Sequence, residues 1–258
     1  MNKDKYFDFP RRKLGISTEQ TIPVVEPHPD DGILSMGGYL YDRYLKGDKL
    51  ISTVLFMEEN EIGLTRSREN EYVWKTILEG ECCFHNAPDK DLIINDSRQL
   101  RINREVKELL TGVCTHLTKV IEIYKPDIIF FPIGIGEHSH HIITNLCFRM
   151  VKPRITSSQF MFYEDYPYAD YSRITYSRPL YRMRSQFNIE KEYQDIEETL
   201  RYKAGLVMAY SSQHQMGFDE IMSNLQVYGE AIGYEGALDG RLSNGIVICE
   251  RVRRLKDN

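Results

Sequence analysis

Short apolar runs of strand length alternate along this chain with longer stretches whose apolar positions recur at helical spacing. Ile22 to Glu26 reads as a strand and Leu50 to Met57 as a second. Between them Ile33, Met36, Leu40 and Tyr44 fall on one helical face, so Ile33 to Lys46 reads as a helix that Gly47 ends. Thr65 to Glu79 reads as a charged helix, Ile102 to Tyr124 as a long one, and Asp127 to Pro132 as a buried strand followed by a helix from Ile142 to Met150. Repeated strand–helix–strand order implies right-handed crossovers and an α/β fold: a doubly wound, mostly parallel sheet with helices on both faces. Sheets of that kind bind ligands in the crevice outside the carboxyl ends of the strands. From about residue 155 the tyrosines thicken, with Tyr163, Tyr166, Tyr168, Tyr171, Tyr176 and Tyr181. Their rings suit sugar binding and equally an added strand region.

Two strand ends carry chemistry. The first apolar run breaks into Pro27-His28-Pro29-Asp30-Asp31, an imidazole and two carboxylates on a backbone stiffened by two prolines, which suits ligands that must not wander. The Asp127–Pro132 strand runs into Gly134-Ile135-Gly136-Glu137-His138-Ser139-His140-His141, where three of the seven histidines occupy four positions. If His141 opens the helix, His138 and His141, three apart, point into one cavity. Imidazoles with one carboxylate form a favoured three-ligand set for Zn²⁺ or Fe²⁺ that leaves positions open for water and substrate. The bland alternatives are an Asp-Asp helix cap favoured by the dipole and a solvated histidine loop. A dinucleotide reading of Gly134-Ile135-Gly136 fails because Ser139 stands where the third glycine belongs.

Composition narrows the class. A chain of 258 residues is long enough for one α/β core, so a single domain over 1–258 is expected, with about 155–258 as a cap or added sub-region. A net charge of −5 argues against a nucleic-acid surface, and the dense basic run Arg251-Val252-Arg253-Arg254-Leu255-Lys256 reads as a solvated tail. Five cysteines without Cys-x-x-Cys spacing read as reduced thiols. No apolar leader or spanning run is seen, so a cytoplasmic protein with no membrane partner is expected.

At these residues the chain resembles the metal-dependent N-deacetylases of the PIG-L/LmbE type, whose signature is a strand followed by His-Pro-Asp-Asp and a distant His-x-x-His loop. Arg66-Ser67-Arg68-Glu69 is similar to the family's Arg-x-x-Glu segment, Tyr163-Glu164-Asp165-Tyr166-Pro167-Tyr168 to its Tyr-Glu-Asp-x-Pro-Tyr segment, and Lys203 with Tyr210-Ser211-Ser212-Gln213 to its Lys helix ending in Tyr-x-Ser-Gln. The matches run in order over about residues 22 to 215. The resemblance implies a Rossmann-like fold and a hydrolase that removes acetyl from an N-acetyl amino sugar, a small molecule such as an aminoglycoside intermediate of the N-acetylparomamine kind. It implies that His28, Asp31 and His141 hold Zn²⁺, with Fe²⁺ or another divalent ion as alternatives. Asp30 is then the general base, His138 the donor to the oxyanion and acid for the leaving amine, and Arg68 a substrate contact. The chain departs from the family where His140 replaces the loop Asp, which leaves His138 near the ordinary value of about 6.5 or lower. It also carries Gly136 where some members have Tyr, and Gly32 where many have Glu.

Other residues read more plainly. His85 beside Cys82-Cys83 suits a structural or surface role, and His116 a packed or surface one. His214 lies near a family-matching stretch and is a candidate for the pocket wall. Lys203 suits a substrate hydroxyl or an ion pair. The competing functions are a metal-dependent amidase or esterase on another small substrate and a non-catalytic carbohydrate-binding relative. No Gly-x-Ser-x-Gly is present to support a serine hydrolase.

Overall fold

The computed structural model describes residues 9–10, 20–88, 104–135, 138–168, 183, 186–239 and 249–256. Its centre is a seven-stranded sheet of β1 (Thr21–Glu26), β2 (Lys49–Met57), β3 (Glu81–Pro88), β4 (Ile128–Pro132), β5 (Gln159–Tyr163), β6 (Ile189–Asp195) and β7 (Cys249–Leu255). The spatial order is β3-β2-β1-β4-β5-β7-β6. The first five strands are mutually parallel, whereas β7 runs antiparallel to both β5 and β6. The helices are α1 (Asp31–Leu45), α2 (Glu61–Glu71), α3 (Arg104–Tyr124), α4 (Ser139–Val151), α5 (Leu200–Met208) and α6 (Phe218–Leu238).

Alternation along the strands explains the layers, because successive side chains face opposite sides of a sheet. Ile22, Val24, Phe130 and Met161 join Leu40, Trp74 and Leu206 in one apolar core. Val25, Ile129, Phe131 and Phe162 join Val113, Leu117 and Phe148 in the other. The expected doubly wound α/β sheet is the fold. No helix among the described residues is long and apolar enough to cross a membrane.

Four local expectations are corrected. The charged helix starts earlier, at Glu61, because the Asn60 side chain accepts the Gly63 N–H at 3.0 Å and caps it. A Cβ on Gly63 would lie 1.8 Å from the Glu58 carbonyl oxygen, so this turn needs glycine. The same helix passes at Tyr72 into a π turn, Tyr72–Ile77, which buries Val73, Trp74 and Ile77. The edge strand β3 has no strand signal in the sequence, since it is half-buried and lacks a continuous apolar run. The basic C-terminal run is not a tail: it is β7, inside the sheet, with Arg251 and Arg253 buried against Glu164. Finally α4 begins at Ser139, before His141, with His138 in extended conformation at its cap.

α1 is kinked at Met36, whose backbone is non-helical. The kink frees the N–H groups of Gly38 and Tyr39, and the buried Glu250 of β7 accepts both, at 3.1 and 2.8 Å. Lys203 completes this arrangement, its ammonium 2.6 Å from Glu250, so it is an internal counter-ion and not a solvated side chain.

Candidate metal centre

The strand order reverses between β1 and β4, neighbours whose successors lie on opposite sides. Such a reversal leaves a crevice at the carboxyl ends of the two strands, and both histidine segments follow these ends. The first loop is tied down where the Pro27 carbonyl accepts the Phe56 N–H at 2.9 Å. Asp30 then adopts φ 109°, a left-handed value uncommon outside glycine and characteristic of sites where strain serves function. Its carbonyl starts α1 by accepting from Leu34, but its side chain does not cap the helix and turns instead to His214, whose Nε2 lies 3.0 Å away.

Asp31 sits at the centre of the constellation. Its Oδ2 accepts the His28 N–H at 2.8 Å and lies 3.4 Å from both His28 Nδ1 and His141 Nε2. A tetrahedral ion with bonds of about 2.0–2.1 Å needs ligand-to-ligand edges of about 3.4 Å, so the donor set of His28, Asp31 and His141 fits a divalent metal. All three donor atoms lie within 4.8 Å of one another. Each imidazole is oriented through its other nitrogen, as metal ligands usually are. His141 Nδ1 is 2.5 Å from Asp165 Oδ1, and Asp165 is itself fixed by the N–H groups of Gly134 and Ile135, each at 2.8 Å. His28 Nε2 is 2.9 Å from His140 Nδ1.

The electrostatics separate the two aspartates. Burial, assisted by the Asp31 charge and opposed by the His214 hydrogen bond, raises Asp30 to about 6. Asp31 is just as buried, yet the charges and hydrogen bonds of His141 and His28 hold it down to about 2. Burial lowers His138 to about 4, with the surrounding histidines adding to the effect. Glu26, beneath the site, is raised to about 8 by burial, although Ser52 and the Gly32 N–H bond to it. A Cβ on Gly32 would lie 2.9 Å from that carboxyl, which explains why a larger residue is absent there.

A family model described as GlcNAc-PI de-N-acetylase, PIG-L, matches residues 23–151, half of the chain and both histidine segments. The chain belongs to the PIG-L family. Comparison with curated protein sequences gives no significant match. Among solved structures, the zinc-inhibited form of the teicoplanin deacetylase Orf2 superposes with a TM-score of 0.70 at 16% identity, covering 92% of this chain and 98% of that one. The N,N'-diacetylchitobiose deacetylase from Pyrococcus horikoshii gives 0.60 at 18% identity, over 92% and 84% of the two chains. GalB, the 4-carboxy-2-hydroxymuconate hydratase from Pseudomonas putida, gives 0.61 at 12%, over 93% and 97%. These likenesses share the fold, and one fold hosts several chemistries.

In this PIG-L chain the structure brings together Asp30, Asp31, His28, His138 and His141; the rings of His138 and His141 are 5.5 Å apart. Arg68 is exposed on α2, and the neighbouring Glu69 instead ties that helix to Ser211 and Ser212. Of two further residues of the site, His214 is the candidate for the pocket wall and lies against Asp30, whereas Asp165 carries no assigned role in the sequence. Asp165 is visible only as part of the Tyr-Glu-Asp segment, and nothing in the sequence pairs His214 with Asp30. Glu164, the other acid of its segment, is bound by Arg251 and Arg253 and does not serve His138. Tyr168 reaches the site edge, its ring 6.0 Å from His141, whereas Tyr166 packs on Tyr228. Glu137, Gly136, Tyr171, Tyr176 and Tyr181 lie outside the described residues.

Proposed function

We propose that this protein is a metal-dependent N-deacetylase that hydrolyses the acetamide of an N-acetylglucosaminide, with an antibiotic precursor of the N-acetylparomamine kind as the favoured substrate. The observation that carries the reading is the pairing of a convergent His28–Asp31–His141 set, both imidazoles 3.4 Å from Asp31, with the adjacent carboxylate of Asp30. The description of the family and the activities for which Orf2 and the chitobiose deacetylase are named support it.

A divalent ion held there, zinc in the first instance, supplies Lewis acidity to the acetamide oxygen and to a water molecule. Asp30, ionised at neutral pH yet a stronger base than an ordinary aspartate, takes the proton of the attacking water. His214 holds the Asp30 carboxylate toward the site by the 3.0 Å contact. His138, with its depressed pKa, is uncharged at pH 7 and acts through an N–H directed at the developing oxyanion. Collapse breaks the C–N bond, and protonated Asp30 returns its proton to the leaving amine, giving acetate and a free amino sugar.

Acetate release from a panel of N-acetylglucosaminides, measured with metal-loaded and chelator-treated protein, tests this reading. The Asp30→Asn protein should keep its metal by elemental analysis and lose at least about 10²-fold in kcat. Absence of acetate from every N-acetyl sugar with metal bound, or wild-type turnover in Asp30→Asn, overturns it.

A further inference from the structure

His140 stands where relatives carry a carboxylate, and its placement gives the site a second set of donors. Its ring is only 1% exposed and stacks on Phe56, with centroids 4.2 Å apart and planes 10° from parallel, so its orientation is fixed. Its Nδ1 faces His28 Nε2 at 2.9 Å, on the side of the His28 ring opposite the nitrogen that lies against Asp31. His138 closes the group: its ring is 5.1 Å from that of His28 and 5.2 Å from that of His140. The His138 Nδ1 atom is buried and has no hydrogen-bond partner among the described residues, an arrangement that costs stability unless something else satisfies it. One donor atom from each of His28, His138 and His140 falls within 4.8 Å of the other two.

We propose that His28, His138 and His140 form a second, alternative position for a divalent transition metal, competing with the His28–Asp31–His141 position for the shared His28. The proposal rests on the reading that the latter set holds the catalytic ion. Three neutral imidazoles are a proven donor type for zinc and bind copper and nickel well, while the absence of a carboxylate disfavours harder ions. The two positions exclude each other because a neutral imidazole has one lone pair on its ring nitrogens and one N–H. Ligation through Nε2 leaves the proton on Nδ1, pointing at Asp31, and removes His28 from the first set. Ligation through Nδ1 leaves Nε2–H to donate to His140, which then serves as an orienting acceptor. Soft, imidazole-seeking ions in excess therefore draw His28 and His138 out of the deacetylation site.

Zinc binding to chelator-treated protein, followed by isothermal titration calorimetry, separates the cases. His141→Ala destroys the first set; this protein should still bind about one zinc, and adding His140→Ala should weaken that binding at least about tenfold. No zinc binding by folded His141→Ala, or no weakening when His140→Ala is added, overturns the second position. If His141→Ala does not fold by circular dichroism, Asp31→Asn replaces it in both proteins. The first set is tested apart from this, in His140→Ala alone. There one zinc should bind and be lost on adding Asp31→Asn, and its retention would count against the first set without touching the result for the second.

Discussion

Removing the His214 side chain should move the acidic limb of kcat/KM to higher pH. The limb reports the base of the free enzyme, proposed above to be Asp30, which the fold raises to about 6. Burial is the main cause of that rise, and the His214 hydrogen bond is the largest influence opposing it. A hydrogen bond to a charged group contributes about 1.5–3 kcal/mol net, or about one to two pKa units at about 1.36 kcal/mol per unit. Both side chains retain some exposure, 18% for His214 and 10% for Asp30, so water entering the vacated space returns part of this. A rise of about one unit remains. The ionised fraction of Asp30 then falls from about 0.9 to about 0.5 at pH 7, and from about 0.5 to about 0.1 at pH 6. The corresponding loss in kcat/KM for His214→Ala is about twofold at pH 7 and about fivefold at pH 6. A bound ion acts on Asp30 in both proteins alike, so the comparison lies between the two limbs. Acetate release assayed from about pH 5 to about pH 8.5, with metal content matched, measures it. A limb that stays in place or moves down refutes the assignment of His214 to Asp30, or of Asp30 to the base.

Three further outcomes follow from the same geometry. Asp165→Asn removes the carboxylate behind His141 Nδ1 and should weaken metal binding about 10–100-fold in a chelator competition. Glu164→Gln leaves Arg251 and Arg253 buried without their shared counter-ion and should cost about 3–5 kcal/mol in a denaturant titration, where a solvated tail would register almost nothing. Glu26 has its folded-state pKa raised from 4.5 to about 8, so between these values the unfolded chain is ionised while the native one holds a proton. Its contribution to stability is complete below the unfolded value and is lost as pH rises toward 8. Glu26→Gln should therefore flatten the fall of Tm with pH across that window, and an unaltered slope would show that Glu26 is ionised in the fold.

Legibility in the sequence followed locality. β1, α1, β2 and β4 announce themselves within a residue or two, because their apolar positions are spaced by their own helix or strand geometry. The His-Pro-Asp-Asp and His-x-x-His segments were legible for the same reason, each directly following such a strand. β7 was not, since nothing near Arg251 and Arg253 signals a neutralising Glu164 just past the end of neighbouring β5. Asp165 gained its role from register: Pro132 pairs with Tyr163, so Gly134 and Asp165, each two residues further on, arrive side by side. His214 was legible as a candidate for the pocket wall, but its pairing with Asp30 was not. Tyr210 at the end of α5 bonds to the buried Asn70, and that anchor delivers the following turn to Asp30.

The position of the centre on the strand reversal bears on the architecture as well as on catalysis. His28 and His141 are more than a hundred residues apart in the chain and follow the carboxyl ends of adjoining strands, β1 and β4, from which the sheet winds in opposite directions. An ion gripping both is a cross-link closing a very long loop, and a permanent link of about a hundred residues reduces the entropy of the unfolded chain by about 4.7 kcal/mol in the chain-entropy picture. Coordination is reversible, so the tether holds only while metal is supplied. If the proposed ion is held there, a chelator should lower the Tm of the protein along with its turnover by loosening the seam between the two windings.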